Sequence, residues 1–183
     1  MSKVVVFFAE GFEEIEGLTV VDMLRRAGVE VKMASIREDS LNVTGAHKIQ
    51  IQADTYAKDV DFSKVDMVVL PGGMPGTTNL GACNLVTDTV KDFFHAGKFV
   101  AAICAAPSIF GDLGILSGKH AECYPGFEDR LQGATVKKEK VAVDGNVITS
   151  RGMGTAIEFS CALIEKLMGQ EKAEEIARAI IYK

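Results

Sequence analysis

Short apolar runs and longer amphipathic stretches alternate along the chain. Lys3 to Phe8 is apolar enough to be a buried strand, and Gly11 to Ala27 follows with apolar residues at helical spacing and stops at Gly28. Val29 to Ser35 alternates Val29, Val31 and Met33 with the charged Glu30 and Lys32, the period of a strand. Leu41 to Val43 and Lys48 to Gln52 flank Thr44-Gly45-Ala46-His47 and predict a small hairpin. Met67 to Leu70 is another buried strand, stopped by Pro71-Gly72-Gly73, and Leu85 to Ala96 is a helix closed by Gly97. The run from Phe99 to Ile103 predicts a strand that stops at Cys104, with a short helix over Ser108 to Leu113 behind Pro107. His120 to Tyr124 reads as a strand. Val141 to Val143 and Val147 to Thr149 flank Asp144-Gly145-Asn146, a hairpin whose glycine tolerates positive φ. Gly152 and Gly154 open a helix from about Thr155 to Met168, and Gln170 to Ile181 forms the last helix. Strands alternating with helices predict an α/β fold with a mostly parallel sheet covered on both faces.

Composition narrows the function class. At 183 residues and 48% hydrophobic, the chain supports one well-buried core and reads as a single domain over residues 1–183. The net charge of -5, with Lys and Arg scattered among acids, argues against nucleic acid as a partner. Apolar runs fall short of the ~20 residues a spanning helix needs, and no signal pattern is present, so we expect a cytoplasmic protein with no membrane partner. Cys83, Cys104, Cys123 and Cys161 are widely spaced without a C-x-x-C pair, which predicts reduced thiols rather than a disulfide framework or a zinc site.

In open α/β sheets ligands bind outside the carboxyl ends of the strands, so the strand ends are the places to look for chemistry. The first ends in Ala9-Glu10-Gly11-Phe12-Glu13-Glu14, acidic where a flavin phosphate would need hydroxyl and amide donors, so FMN is disfavoured. Leu70-Pro71-Gly72-Gly73 carries no phospho-accepting aspartate. Its two glycines leave backbone N–H groups unobstructed, as donors to an oxyanion or as a mere tight turn. Cys104 sits in the turn before Pro107, just ahead of a helix N-terminus, a place that favours thiolate. A free cysteine is as often only a small buried hydrophobe. On the first helix, Glu16 falls in the middle of the stripe formed by Phe12, Val20, Met23 and Ala27, whereas Glu13 lies on its flank and Glu14 points away. No Lys or Arg stands one turn from Glu16, so burial would raise its pKa and keep it protonated, able to donate a hydrogen bond.

Four segments together resemble a known family. Gly11-Phe12-Glu13-Glu14-Ile15-Glu16, Val69-Leu70-Pro71-Gly72-Gly73, Ala101-Ala102-Ile103-Cys104-Ala105-Ala106-Pro107 and Thr149-Ser150-Arg151-Gly152-Met153-Gly154-Thr155 look like the ThiJ/PfpI superfamily, closest to its DJ-one branch. The resemblance covers nearly the whole chain and implies a flavodoxin-like three-layer α/β/α sandwich and a homodimer. It also implies that Cys104 is the reactive cysteine, Glu16 its protonated hydrogen-bond partner, and the Gly72, Gly73 and Ala105 amides the surrounding donors. No cofactor and no metal is implied.

Departures from the family pattern bear on the chemistry. Tyr124 precedes Pro125 where many relatives carry a histidine, so the usual candidate base is absent. His120 lies about 13 Å away along a strand and cannot replace it directly. His47 stands where relatives often have arginine near the dimer contact, with an exposed hairpin residue as the plainer reading. His95, at a helix end, reads as a favourable C-terminal charge. His120-Ala121-Glu122 is similar to the His-x-Glu of class I glutamine amidotransferases, but Ala102 and Ala106 replace the glycines that flank the cysteine there. Two functions are therefore expected from the resemblance. One is a glutathione- and metal-independent glyoxalase or deglycase acting on a small carbonyl substrate such as methylglyoxal or its early protein adducts. The other is a stress sensor or chaperone switched by oxidation of Cys104.

Overall fold

The computed structural model describes residues 2–182. Seven strands form one sheet in the order β5-β2-β1-β6-β7-β9-β8. These are β1 (Lys3–Phe8), β2 (Glu30–Ser35), β5 (Thr55–Tyr56), β6 (Met67–Leu70), β7 (Phe99–Ile103), β8 (Val141–Asp144) and β9 (Val147–Ser150). All neighbours pair in parallel except β8, which returns antiparallel on β9 through the Asp144-Gly145-Asn146 turn. The hairpin predicted around Gly45 is present as β3 (Asn42–Thr44) and β4 (Gln50–Gln52), a separate two-stranded sheet.

Side chains alternate across a strand, so each buried strand feeds two cores. Val4, Val6, Phe8, Met67, Val69, Ala101 and Ile103 face one layer of helices, α1 (Glu14–Arg26), α5 (Ala156–Met168) and α6 (Gln170–Ala179). Val5, Phe7, Val68, Leu70, Val100 and Ala102 face the other, α2 (Gly76–Ala82), α3 (Asn84–His95) and α4 (Pro107–Asp112). The result is the flavodoxin-like three-layer sandwich the sequence predicted. Its central strands run β2-β1-β6-β7-β9, and the chain reverses its winding between β1 and β6, where doubly wound sheets open a crevice. Among the described residues no helix is long and apolar enough to cross a membrane.

Two expectations are corrected, and two elements are present for which the sequence pattern gave no prediction. The first helix starts at Glu14, not Gly11: Gly11 has φ 80°, Glu13 is extended, and their N–H groups bond Thr44 and Gly72 carbonyls at 2.8 and 2.9 Å instead of starting a helix. Residues 120–124 form no strand beyond one bridge, His120 to Thr135. There the buried Glu122 carboxylate gathers the N–H groups of Lys137, Lys138 and Glu139 at 3.0 to 3.1 Å, and the Glu122 N–H itself goes to Thr149 Oγ1, so a ladder has no free donors. Helix α2 was not expected, because Gly-Thr-Thr-Asn-Leu-Gly-Ala has weak helical propensity and packing of Leu80 stabilises it. The two-residue β5 is too short to leave a period.

Candidate active site

The carboxyl ends of β1, β6, β7 and β9 converge at the reversal of winding. Cys104 follows β7 with φ 66°, a left-handed conformation that costs a non-glycine residue about 1–2 kcal/mol. Two bonds hold it there: its N–H donates to the Ser150 carbonyl at 2.9 Å, and its carbonyl accepts from the Tyr124 N–H at 2.7 Å. The strained turn lifts the side chain off the strand end, leaving it half-buried, and Pro107 opens α4 at its first helical position as the sequence indicated.

Glu16 lies in the first turn of α1 with only 1% of its surface exposed. Its Oε2 accepts the Gly72 N–H at 2.9 Å, its carboxyl hydrogen-bonds the Cys104 thiol, and the Met153 N–H adds a further donor. Gly72 is required by this close approach, since a Cβ there would stand 2.6 Å from both Cys104 Cβ and Glu16 Oε2. The structure thus brings Cys104, Glu16, Gly72, Gly73 and Ala105 together, with one change of role. The Gly72 amide serves Glu16 and is not free for an oxyanion, whereas the Gly73 and Ala105 N–H groups reach the sulfur.

Burial raises Glu16 to about 7, against the opposing bonds from Cys104 and the Gly72 and Met153 amides, with the Glu13 charge adding to the rise. Burial also pushes the Cys104 thiol up to about 12, and the charge of Glu16 and its hydrogen bond act in the same direction, while the Gly73 and Ala105 amides pull it down. A thiol below the free-cysteine value is therefore not obtained while Glu16 is ionised. The two groups share the first negative charge of the site, and sulfur carries it in the form in which Glu16 keeps the proton.

Tyr124 is half exposed and its ring borders Gly152, where an added Cβ would lie 3.2 Å from Tyr124 Cδ2 and 3.9 Å from Glu16 Oε1. Met153, also about half exposed, follows Gly152 and brings its amide to Glu16. Sequence reasoning missed Met153, although it lies inside the Thr149–Thr155 segment. His47 is not at this site: it stands on Glu13 and Glu14, its Nδ1 3.4 and 3.1 Å from their carboxylates. Glu14, expected to point away, is buried because the β3–β4 hairpin folds over it. His120 is engaged by Glu122 at 3.1 Å, and His95 closes α3 with its ring against Phe94. The cleft of about 220 Å³ lined by Lys3, Glu30 and Lys64 opens at the amino ends of β1 and β2, the wrong end of a doubly wound sheet for a ligand.

Residues 2–166 match the DJ-1/PfpI family. The chain belongs to that family. It is 41% identical over 183 residues to Protein DJ-1 homolog B of Arabidopsis thaliana, covering 99% of this chain and 42% of that protein. The chain thus spans less than half the length of that plant relative. Glutathione-independent glyoxalase DJR-1.2 of Caenorhabditis elegans is 30% identical over 181 residues, covering 98% of this chain and 95% of that one. Among solved structures, oxidized DJ-1 of Toxoplasma gondii superposes with a TM-score of 0.94 at 36% identity, covering 99% of this chain and 98% of that one. The DJ-1/PfpI assignment places the Cys104 turn and the Glu16 helix in a family that includes a protein named as a glyoxalase.

Proposed function

We propose that this protein is a cysteine-dependent glyoxalase, or deglycase, that converts a small dicarbonyl such as methylglyoxal, free or as an early protein adduct, without glutathione or metal. The observation that carries the reading is the buried Glu16 carboxyl hydrogen-bonded to a thiol on a strained turn, with two amides on the sulfur. The thiolate attacks the aldehyde carbon and forms a C–S bond, and the Glu16 proton passes to the resulting alkoxide to give a hemithioacetal. Glu16, now a carboxylate, removes the proton from that carbon; the electron pair moves into an enediol, and the proton returns at the neighbouring carbon. The product is a thioester of a 2-hydroxy acid. Water adds to its carbonyl, the C–S bond breaks, and the hydroxy acid leaves with the thiolate restored. A carboxyl near 7 suits both directions of proton transfer at neutral pH. The purified protein should turn methylglyoxal into lactate, and Cys104→Ser should abolish this. Lactate formation unchanged in Cys104→Ser would end the reading.

A redox role is favoured by a different observation, the oxidized state named for the Toxoplasma relative. Two equivalents of peroxide would take the Cys104 thiolate through sulfenate to sulfinate with release of two waters, and a protonated Glu16 would hold a sulfinate oxygen. Intact mass showing two added oxygens on Cys104 at low peroxide, with no lactate formed from methylglyoxal, would favour this reading over the enzyme. In either case we expect a homodimer, with the first helix and the loops near Cys104 presented by each subunit to its two-fold mate. Light scattering at micromolar concentration checks the mass.

A further inference from the structure

One short segment behind the Cys104 site holds both of its ionisable groups. Between β9 and α5 the chain makes a single turn, Met153–Thr155. Ahead of this turn the Ser150 carbonyl accepts the Cys104 N–H at 2.9 Å. Within it the Met153 N–H reaches the Glu16 carboxyl. That N–H belongs to the Gly152–Met153 peptide, and in a trans peptide the N–H and the C=O point in opposite directions. Whatever fixes the Gly152 carbonyl therefore aims the Met153 N–H.

Thr155 fixes that carbonyl with its backbone and its side chain. Its N–H donates to the Gly152 oxygen at 2.8 Å and its Oγ1 donates to the same oxygen at 2.9 Å, while the Gly152 N–H donates to Oγ1 at 3.2 Å. Behind it the fully buried Ser150 Oγ stands 2.6 Å from Thr155 Oγ1 and 2.8 Å from the Lys140 carbonyl. The paired hydroxyls thus tie the turn to the chain entering β8. Neither side chain is used in the reaction above.

We propose that Thr155, backed by Ser150, is a positioning residue of the site: its hydroxyl holds the Gly152 carbonyl so that the Met153 N–H stays on Glu16 and draws the shared negative charge toward the carboxyl. The inference rests on the Cys104–Glu16 pair that the proposed function uses, and it names what sets the balance within that pair. An N–H on a carboxylate favours its charged form. Without the Thr155 hydroxyl the Gly152 carbonyl keeps only its backbone bond from Thr155, and the Met153 donor is less well aimed. Charge then leaves Glu16 for the sulfur, because the two ionisations are coupled. Thr155 therefore restrains the nucleophile and keeps Glu16 able to ionise, as the proton-removal step requires.

The test is the pH profile of Cys104 alkylation by iodoacetamide on the full chain, read from the mass of the Cys104 peptide in wild type, Thr155→Val and Thr155→Ser. In Thr155→Val the inflection should move up by about half to one pH unit, with the rate unchanged below it and about three- to tenfold faster above it. Thr155→Ser keeps the hydroxyl and should restore the wild-type profile. Glu13 and Cys104 face Glu16, His47 stands on Glu13, and Tyr124 lies across Gly152; no variant alters them, so their effects cancel. A second readout needs no variant: the Met153 amide proton resonance of wild type should move downfield as Glu16 ionises, with the midpoint of the alkylation profile. No dicarbonyl enters either measurement, so a failure of the glyoxalase reading is seen separately. An unmoved inflection in Thr155→Val, a loss of rate at every pH that Thr155→Ser shares, or a Met153 resonance that does not follow that midpoint would each overturn the proposal.

Discussion

Replacing Glu16 by Gln should remove a pH dependence of stability that the wild-type chain carries. The folded carboxyl titrates at about 7 against an ordinary value of 4.5. Between these values the folded state keeps a proton that the unfolded state has released, so stability falls as pH rises. The contribution is complete below 4.5 and gone above the folded value. Each pKa unit is worth about 1.4 kcal/mol, which makes the whole effect about 3 kcal/mol, and about 2.5 kcal/mol of it falls between about pH 5 and about pH 8. Gln at this position keeps an oxygen for the Gly72 N–H and an N–H donor for the sulfur, and cannot titrate. Other shifted groups, such as the lowered Glu14 and Asp61, are common to both proteins and cancel in the difference. Urea unfolding of wild type and Glu16→Gln across that range therefore gives a difference that moves toward the variant by about 2.5 kcal/mol as pH rises. Parallel curves would mean that Glu16 is not held protonated by burial, and both functional readings would lose their proton carrier.

Three further outcomes follow from the same geometry. Ultraviolet titration of the Cys104 thiolate, on a background lacking Cys83, Cys123 and Cys161, should move down from the wild-type position in Glu16→Gln, which removes the carboxylate charge and keeps a donor for the sulfur, and should lie lower in Glu16→Gln than in Glu16→Leu, which has no donor; a Cys104 titration that is the same in Glu16→Leu as in wild type would mean the carboxyl does not touch the sulfur. Tyr124→His should raise methylglyoxal turnover, since a phenol with pKa about 10 is a poor base at neutral pH; an unchanged or lower rate in well-folded protein would remove that role for the position. Glu122→Ala should cost about 3–5 kcal/mol in urea unfolding, because three backbone N–H groups and His120 lose a buried carboxylate partner. A loss below about 1 kcal/mol would show that water replaces it.

The layered fold was legible because its central strands are buried on both faces. Runs such as Val68-Val69-Leu70 and Val100-Ala101-Ala102-Ile103 have no other stable home than the middle of a parallel sheet. Boundaries failed where a side chain or a distant loop took the backbone donors. Gly11 to Glu13 looked helical by apolar spacing, yet the Gly11 and Glu13 N–H groups serve the β3–β4 hairpin and the Gly72 turn, and that of Phe12 turns back to the Ala9 carbonyl. Nothing in a single segment shows such a long-range claim on its amides. The same holds for residues 120–124, where Glu122 organises a loop from sixteen residues downstream.

At the site, the position of Glu16 on the apolar stripe was enough to anticipate its burial, but periodicity misplaced Glu14 because the hairpin that covers it is not on the helix. The protonation of the pair shows a deeper limit. From sequence, a cysteine ahead of a helix suggests a lowered thiol, but α4 has only six residues and the larger influences are burial and a carboxylate in contact. Those influences oppose a free-standing thiolate and instead bind the two ionisations together. A single negative charge in this pocket is stabilised by the Gly72 and Met153 amides when it sits on Glu16, and by the Gly73 and Ala105 amides when it sits on Cys104. The nucleophile is thus available only when the carboxyl is protonated, so one proton both arms the sulfur and stands ready for the alkoxide that its attack creates.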